Sequence, residues 1–321
     1  MKRKAGNVKK LSLLFLLLAG LTLLYLCTIA SAQPEQQSQA SAPKQSVTAV
    51  AAVPERHSGP AMDALLERVR QRMAQDSTEY AVYISFPGTT RDAEVSWQSK
   101  SMRSASLIKV FILAAAMDLE KAGKLQDNQL LTLREEDKVG GAGSLCGRSA
   151  GTQLTLHDVL FHMITESDNT ATNMVIDLVG MDTVNAYIQR EGYGDTSLQR
   201  HMMDMAAVQA GRENYTSVQD LGKFFTRLYK RQCVGGSYDD EMLDFLLQQT
   251  DKECFPSVLT NRQIAHKTGE LVGLYDDAGI IYGASSDYIL CIMDENMAGR
   301  EQTLQTMRDT ASLVDAAAEE E

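Results

Sequence analysis

IAHKTGELVGLYDDAGIIYGASSDYILCIMDE, residues 264–295, is the stretch whose reading decides the fold. It falls into three runs, "IAHKTGEL", "DDAGIIYG" and "DYILCIMDE", each of strand length and rich in β-branched, aromatic or other apolar residues, with Gly or Asp/Ser turns between them. Connections this short join strands antiparallel. Far upstream, "YAVYISF" (80–86) and "AEVSWQS" (93–99) read as two further strands joined by the turn "PGTTRD". Between the two sets, from Leu107 to about Leu247, the pattern is helical. Strands at both ends and helices between them predict an α+β fold, an α/β sandwich. One five-stranded antiparallel sheet is flanked by N- and C-terminal helices, and an all-helical subdomain is inserted into it.

The flanking helices have their own signals. "AMDALLERVRQRM" after Pro60 places Met62, Leu65, Leu66, Val69 and Met73 on one stripe, and Gly299 through Val314 reads as the closing helix. The folded domain is expected over 60–315, with an acidic tail at 316–321. Residues 33–59 are rich in Gln, Ser, Ala and Pro with almost no large apolar side chain, which makes them a tether that cannot bury enough surface to fold. Ahead of it, Lys2, Arg3, Lys4, Lys9 and Lys10 precede an uncharged apolar run over 11–30 and the small residues Ala30-Ser31-Ala32. Residues 1–32 therefore read as an export signal. The run is also long enough to remain as a membrane anchor, so cleavage and anchoring both stand. Cys27 follows the bulky Leu26, which argues against a lipid attachment site. The expected location is periplasmic, secreted or membrane-anchored on the extracytoplasmic side.

The 321-residue chain carries a formal charge of −11, and its head of five cations lies outside the folded part. An acidic domain excludes nucleic acid as a partner class. Of five cysteines, Cys233 and Cys254 flank one helical stretch and could be bridged, whereas Cys291, inside "YILCIM", reads as a buried free thiol. No cysteine pair has zinc-site spacing and the five histidines form no cluster, so no metal and no cofactor are expected. No coiled-coil repeat is visible; a monomer is expected.

One residue breaks the apolar stretch "SASLIKVFILAAAM" (104–117). From Leu107 to Met117 every side chain is apolar except Lys109, and burying an unpartnered ammonium costs several kcal/mol or forces loss of its proton. If Ser106 starts a helix, Lys109 lies three residues on, and its amine points back toward the Ser106 hydroxyl. A neutral amine there can take the serine's proton. The bland alternative is a lysine snorkelling from a helix surface, and Ser-x-x-Lys by itself is common. Two further motifs follow in order: Ser167-Asp168-Asn169 inside "MITESDNTATNMVIDLVG", and Lys267-Thr268-Gly269 in a predicted strand.

This ordered triple resembles that of the class A β-lactamases and their penicillin-binding relatives, whose signatures are Ser-x-x-Lys, Ser-Asp-Asn and Lys-Thr-Gly. The resemblance runs from about Ala61 to Val314 and implies a serine hydrolase that opens the β-lactam amide through an acyl-serine, with a small-molecule β-lactam or D-alanyl peptide as substrate. It implies Ser106 as nucleophile and Lys109 as its base, with Ser167 relaying a proton to the leaving nitrogen. Lys267 would supply positive charge, Asn169 would bind the substrate amide, and Thr268 would bind its carboxylate. The backbone N–H groups of Ser106 and Glu270 would form the oxyanion hole. Gly269 fits because a side chain there would crowd the strand on which substrate lies. Asp168 reads as a structural acceptor, His266 as a packing residue and Asp277 as a brace for the sheet.

The pattern departs at one place. In the family, a loop between the second and third motifs carries a glutamate that positions the deacylating water. Here "SLQRHMMDMAAVQAGRENYTSVQDL" matches that loop through Arg200, and Met202 falls where the glutamate should be. A thioether cannot accept a proton. Asp204 is the nearest substitute, Glu213 a weaker one, and Glu166 directly precedes Ser167 on the helical side. Three expectations follow: a β-lactamase with an unusual or slow deacylation, a relative acting on D-alanyl peptides or esters, or a binding module that stays acylated.

Overall fold

The computed structural model describes residues 59–88 and 93–320. The export or anchor segment, Cys27 and nearly all of the tether lie outside the described residues, as does most of the first strand turn. Among the described residues no helix is long and apolar enough to cross a membrane.

The strands form the expected sheet. Strands β1 (Glu79–Ser85), β2 (Glu94–Trp97), β7 (Gln263–Leu271), β8 (Leu274–Tyr282) and β9 (Tyr288–Glu295) lie in the order β2-β1-β9-β8-β7, every neighbour antiparallel. Among the described residues β7 is therefore an edge strand, with backbone groups facing away from β8 that have no strand partner there. The last three strands are buried on both faces, which is why they read as continuous apolar runs and not as an alternation.

Helices α1 (Pro60–Met73) and α10 (Arg300–Glu319) cover one face. The predicted stripe of Met62, Leu65, Leu66, Val69 and Met73 packs with Leu304, Met307 and Val314 against Val82, Ile84, Leu290 and Ile292. α10 runs to Glu319, past the expected end at Val314. Ala317 and Ala318 are buried there, and Arg262 holds both Asp315 at 2.9 Å and Glu319 at 2.7 Å. Most of the expected acidic tail is thus a last helical turn.

The opposite face carries the inserted subdomain, centred on α2 (Ile108–Lys121). Ile108 through Met117 are buried without interruption, so this helix is apolar all round because other elements enclose it. Packed with it are α3 (Leu156–Thr165), α4 (Asn169–Val179), α5 (Met181–Arg190), α7 (Val218–Tyr229) and α8 (Ser237–Leu247). Thr155, Asp168 and Ser217 cap α3, α4 and α7 through side-chain oxygens that accept N–H bonds from the first turn. Gly222 of α7 lies against the Tyr83 ring, where a Cβ would come within 2.4 Å.

The insert is not wholly helical, as the sequence had suggested. β3 (Met102–Arg103) pairs with β6 (Tyr215–Thr216), and β4 (Leu130–Thr132) pairs with β5 (Gln153–Thr155). Elements of two or three residues are too short to show a period. Among the described residues, the helices α6 (Met205–Gln209) and α9 (Phe255–Val258) are also short. The bridge considered between Cys233 and Cys254 is not formed. Cys233 belongs to the helical side of the sheet and Cys254 to the α1/α10 side, so the sheet stands between the two thiols. Cys291 is a buried free thiol, as read from the sequence.

Candidate active site

The three motifs converge at the boundary between the sheet and the helical insert. Ser106 lies in a 3-10 turn (Ala105–Leu107) that leads directly into α2, and Lys109 is in the first turn of α2. The turn is anchored from outside the helix: Ser104 N–H donates to Asn214 O at 2.9 Å, and Leu107 N–H donates to Ser104 O at 2.8 Å. Ala105 has φ 41°, a left-handed conformation that costs a non-glycine residue about 1–3 kcal/mol and that persists only where surroundings enforce it. Ser106 is partly exposed, and its hydroxyl makes no hydrogen bond among the described residues.

Ser167 sits between the two lysines. Lys109 Nζ lies 2.6 Å from Ser167 O, 3.0 Å from Asn169 Oδ1 and 3.1 Å from Ser167 Oγ, while Lys267 Nζ donates to the same Oγ at 3.0 Å and to Thr268 O at 2.8 Å. Both lysines are fully buried. Burial and the neighbouring charge of Lys267 hold Lys109 well below the usual lysine range, with Asp168 opposing. Burial also brings Lys267 down to about 7, against the pull of Asp251 and Asp277. A neutral Lys109 donates its two N–H groups to Ser167 O and Asn169 Oδ1 and keeps its lone pair for a hydroxyl proton. The buried amine is therefore oriented by Ser167 and Asn169, with no hydrogen bond to Ser106, toward which the helical spacing alone would point it.

Asn169 is engaged at both ends, since its Nδ2 donates to Gly140 O at 3.0 Å. That contact ties the 139–142 loop to the site. Asp168 is the structural acceptor expected of it: it caps α4 through Ala171 N–H at 2.8 Å and takes Leu145 N–H at 2.7 Å. Gly143 passes so close to Asp168 that a Cβ would lie 2.2 Å from its carboxyl.

On the strand side, Gly269 faces the Ser106 turn, and a Cβ there would come 3.0 Å from Ala105 Cβ and 3.2 Å from Ser106 N. The residue is small because the serine turn packs against β7, so the crowding read from the sequence is real but its first victim is the protein itself. Thr268 is buried, and burial pushes the nearby Asp251 up, but the Glu253 N–H, the Tyr275 hydroxyl and then the Thr268 hydroxyl hold it below the ordinary carboxylate range. Glu270 is exposed and paired with Arg300 at 2.8 Å. His266 and Asp277 form a fully buried pair at 2.8 Å, and Asp277 also accepts from Phe255 N–H at 3.2 Å, so both brace the sheet beneath the site.

In the loop of residues 198–214, Met202 is packed inward. Its side chain is buried at 6% exposure in the helical core, and Asn173 clamps its backbone from both sides, with Met202 N–H donating to Oδ1 at 2.8 Å and Nδ2 donating to Met202 O at 3.1 Å. Both candidate substitutes have structural contacts. Asp204 caps α6 through Ala207 N–H at 2.9 Å, and Glu213 is held 2.6 Å from the Arg200 guanidinium in a buried pair that closes the loop's base. Asn214 ties the same loop to the serine turn: its Oδ1 accepts from Gln199 and Arg200 N–H while its backbone O holds Ser104.

Sequence reasoning missed Asn173, Asn214 and Asp251. Asn173 stood four residues beyond Asn169 on the buried face of a helix, and a polar residue on such a face was the available signal. It also missed a buried carboxylate pair behind Gly269, Asp276 and Asp294, linked by Asp294 N–H to Asp276 Oδ1 at 3.0 Å. Burial and each other's neighbourhood push Asp276 well above the usual range, and burial brings Asp294 to about 7.

The chain is 27% identical over 190 residues to a β-lactamase of Streptomyces albus G, a match that covers 55% of this chain and spans 60% of that relative. A β-lactamase from Sphaerobacter thermophilus is similar in structure at TM-score 0.73 and 25% identity, over 81% of this chain and 98% of that one. PBP-A is similar at TM-score 0.74 and 25% identity, over 80% and 97% respectively. A leucine-to-glutamate mutant of PBP-A, solved as an acyl-enzyme complex with penicillin G, is similar to the same degree. The β-lactamase enzyme family model accounts for residues 64–317, strands, insert and all three motifs together, and the chain belongs to that family.

Proposed function

We propose that the protein opens β-lactam amides through an acyl-serine on Ser106 and releases the acyl group slowly. The observation that carries the reading is Ser167 Oγ, placed within hydrogen-bond distance of both Lys109 and Lys267 amines that burial keeps ready to exchange protons. In the acylation step the Ser106 oxygen attacks the carbonyl carbon, and its proton passes to the neutral Lys109 amine. The oxyanion is stabilised by the N–H groups of Ser106 and Glu270, where β7 presents an open edge to the serine turn. On collapse the C–N bond breaks and the nitrogen takes the Ser167 hydroxyl proton, which Lys109 replaces. Every proton is accounted for, and the product is an ester on Ser106.

Hydrolysis of that ester needs a base to activate water. Met202 supports slow release, because its side chain is buried and has no proton acceptor, while Asp204 gives one carboxylate oxygen to the cap of α6 and Glu213 is paired with Arg200. The same burial favours a second reading, in which the acyl-serine serves D-alanyl peptides or esters, or persists as a sensor. Action outside the cytoplasm is part of this reading and rests on the charge and hydropathy pattern of residues 1–32.

Intact-mass spectrometry with penicillin G, followed over time, tests it. The expected result is one penicilloyl equivalent on the native chain, none on Ser106→Ala, and slow loss of the adduct. Release of D-alanine from a D-alanyl peptide would favour the second reading. Ring opening that survives Ser106→Ala would overturn both.

A further inference from the structure

We propose that Glu166, backed by His162 and Arg148, is a positioning residue that holds Ser167 in a left-handed backbone conformation between the two lysine amines. The proposal rests on the reading of Ser167 as proton relay and goes beyond it, because Glu166 touches neither lysine nor substrate.

Ser167 has φ 54°, where serine is disfavoured and glycine usual, and it directly follows the last turn of α3. Nothing in serine itself selects that conformation, so its neighbours must. His162 O accepts from Glu166 N–H at 3.3 Å and from Asp168 N–H at 3.1 Å, folding the chain back on both sides of Ser167. The side chains repeat the pattern: Glu166 Oε2 accepts from Ser144 N–H at 3.1 Å, and Asp168 Oδ2 accepts from Leu145 N–H at 2.7 Å. Two successive N–H groups of one turn are thus gripped by the two residues flanking the serine.

Glu166 is in turn set by the His162 ring. Arg148 can only donate, so His162 Nε2, 3.1 Å from Arg148 Nη2, is the acceptor, and the ring proton lies on Nδ1, which donates to Glu166 Oε1 at 3.0 Å. The carboxyl stays ionised: burial pushes it up, but the Ser144 contacts and His162 hold it below the usual range. Both its oxygens are used, one toward α3 and one toward the 144–147 turn. Release of Glu166 frees Ser167 to relax to negative φ, which carries Oγ away from the amines.

The test is pre-steady-state acylation by a chromogenic cephalosporin, with the acylation rate constant, the dissociation constant of the noncovalent complex and the adduct stoichiometry read separately. Glu166→Ala is expected to lose about 100-fold in the acylation rate constant, the scale of an ångström-sized misplacement, with dissociation constant and stoichiometry unchanged. Glu166→Gln keeps an acceptor for Ser144 N–H and restores most of the rate. Should Glu166→Ala not fold, His162→Ala removes only the ring contact and is expected to give a smaller loss of the same constant. Loss of stoichiometry with a native rate constant, or a native rate constant in every variant, overturns the positioning role while leaving the acyl-serine reading intact. A native chain that no β-lactam acylates overturns that reading, and the inference with it.

Discussion

Replacing Lys267 with methionine isolates the energetic cost of the site. The side chain is fully buried, and burial lowers it from 10.5 to about 7. Between those values the unfolded chain binds a proton that the folded chain gives up, so this lysine's contribution to stability rises with pH across the window from 7 to 10.5. At pH 7 it costs the fold about 4 kcal/mol, and near pH 10 about 1 kcal/mol. Methionine removes that cost but strips the Nζ contacts to Thr268 O and Ser167 Oγ, leaving a buried carbonyl unpaired at about 1–3 kcal/mol. Lys267→Met is therefore expected to be more stable than the native chain by about 1–3 kcal/mol at pH 7, which is about 2–10 °C in Tm for a domain of this size. By pH 10 the sign reverses. Thermal unfolding followed by circular dichroism from pH 6 to 10 reads this directly, and mass spectrometry reads the accompanying loss of acylation. A Tm difference that keeps one sign from pH 7 to 10 would refute the reasoning.

Other outcomes follow from the same geometry. Met202→Glu supplies the missing base at the loop and is expected to shorten the penicilloyl adduct's lifetime by about 100-fold or more, at a stability cost because the site is buried; adduct decay and denaturant unfolding measure the two effects. Gly269→Ala pushes a methyl to 3.0 Å from Ala105 Cβ and is expected to cost about 1–3 kcal/mol while slowing acylation more than it weakens substrate binding, as stopped-flow kinetics would show. Glu213→Ala leaves the Arg200 guanidinium buried and unpaired, and a loss of about 3–5 kcal/mol in urea unfolding is expected. Asp294→Asn removes a carboxyl that burial raises to about 7, so the folded chain no longer binds a proton that the unfolded chain lacks between pH 4 and 7; the native decline in stability over that range should flatten in melts taken across it.

The sheet, the terminal helices and the three motifs were legible in the chain because each rests on a local pattern. The stripe from Met62 to Met73 is a helical period, the runs after Ile264 are strand-length, and Lys109 stands out as the single charge in an apolar run. What that charge faces was not local. Its amine is oriented by Ser167 and Asn169, which the insert brings against it from another helix, and a sequence cannot show which buried oxygens will surround a nitrogen. The same holds for Met202, whose identity was visible but whose burial depends on Asn173 and on the Arg200–Glu213 pair closing the loop. Glu166, His162 and Arg148 are unremarkable in sequence; only the return of the 144–147 turn onto the end of α3 gives them a common task. Periodicity and motif order thus determined the fold and the family's three motifs, since both are written in neighbouring residues. The contacts of the two lysines, the strain at Ser167 and the burial of Met202 were decided by the tertiary structure, because hydrogen bonds and desolvation depend on which distant groups arrive at the same few ångströms.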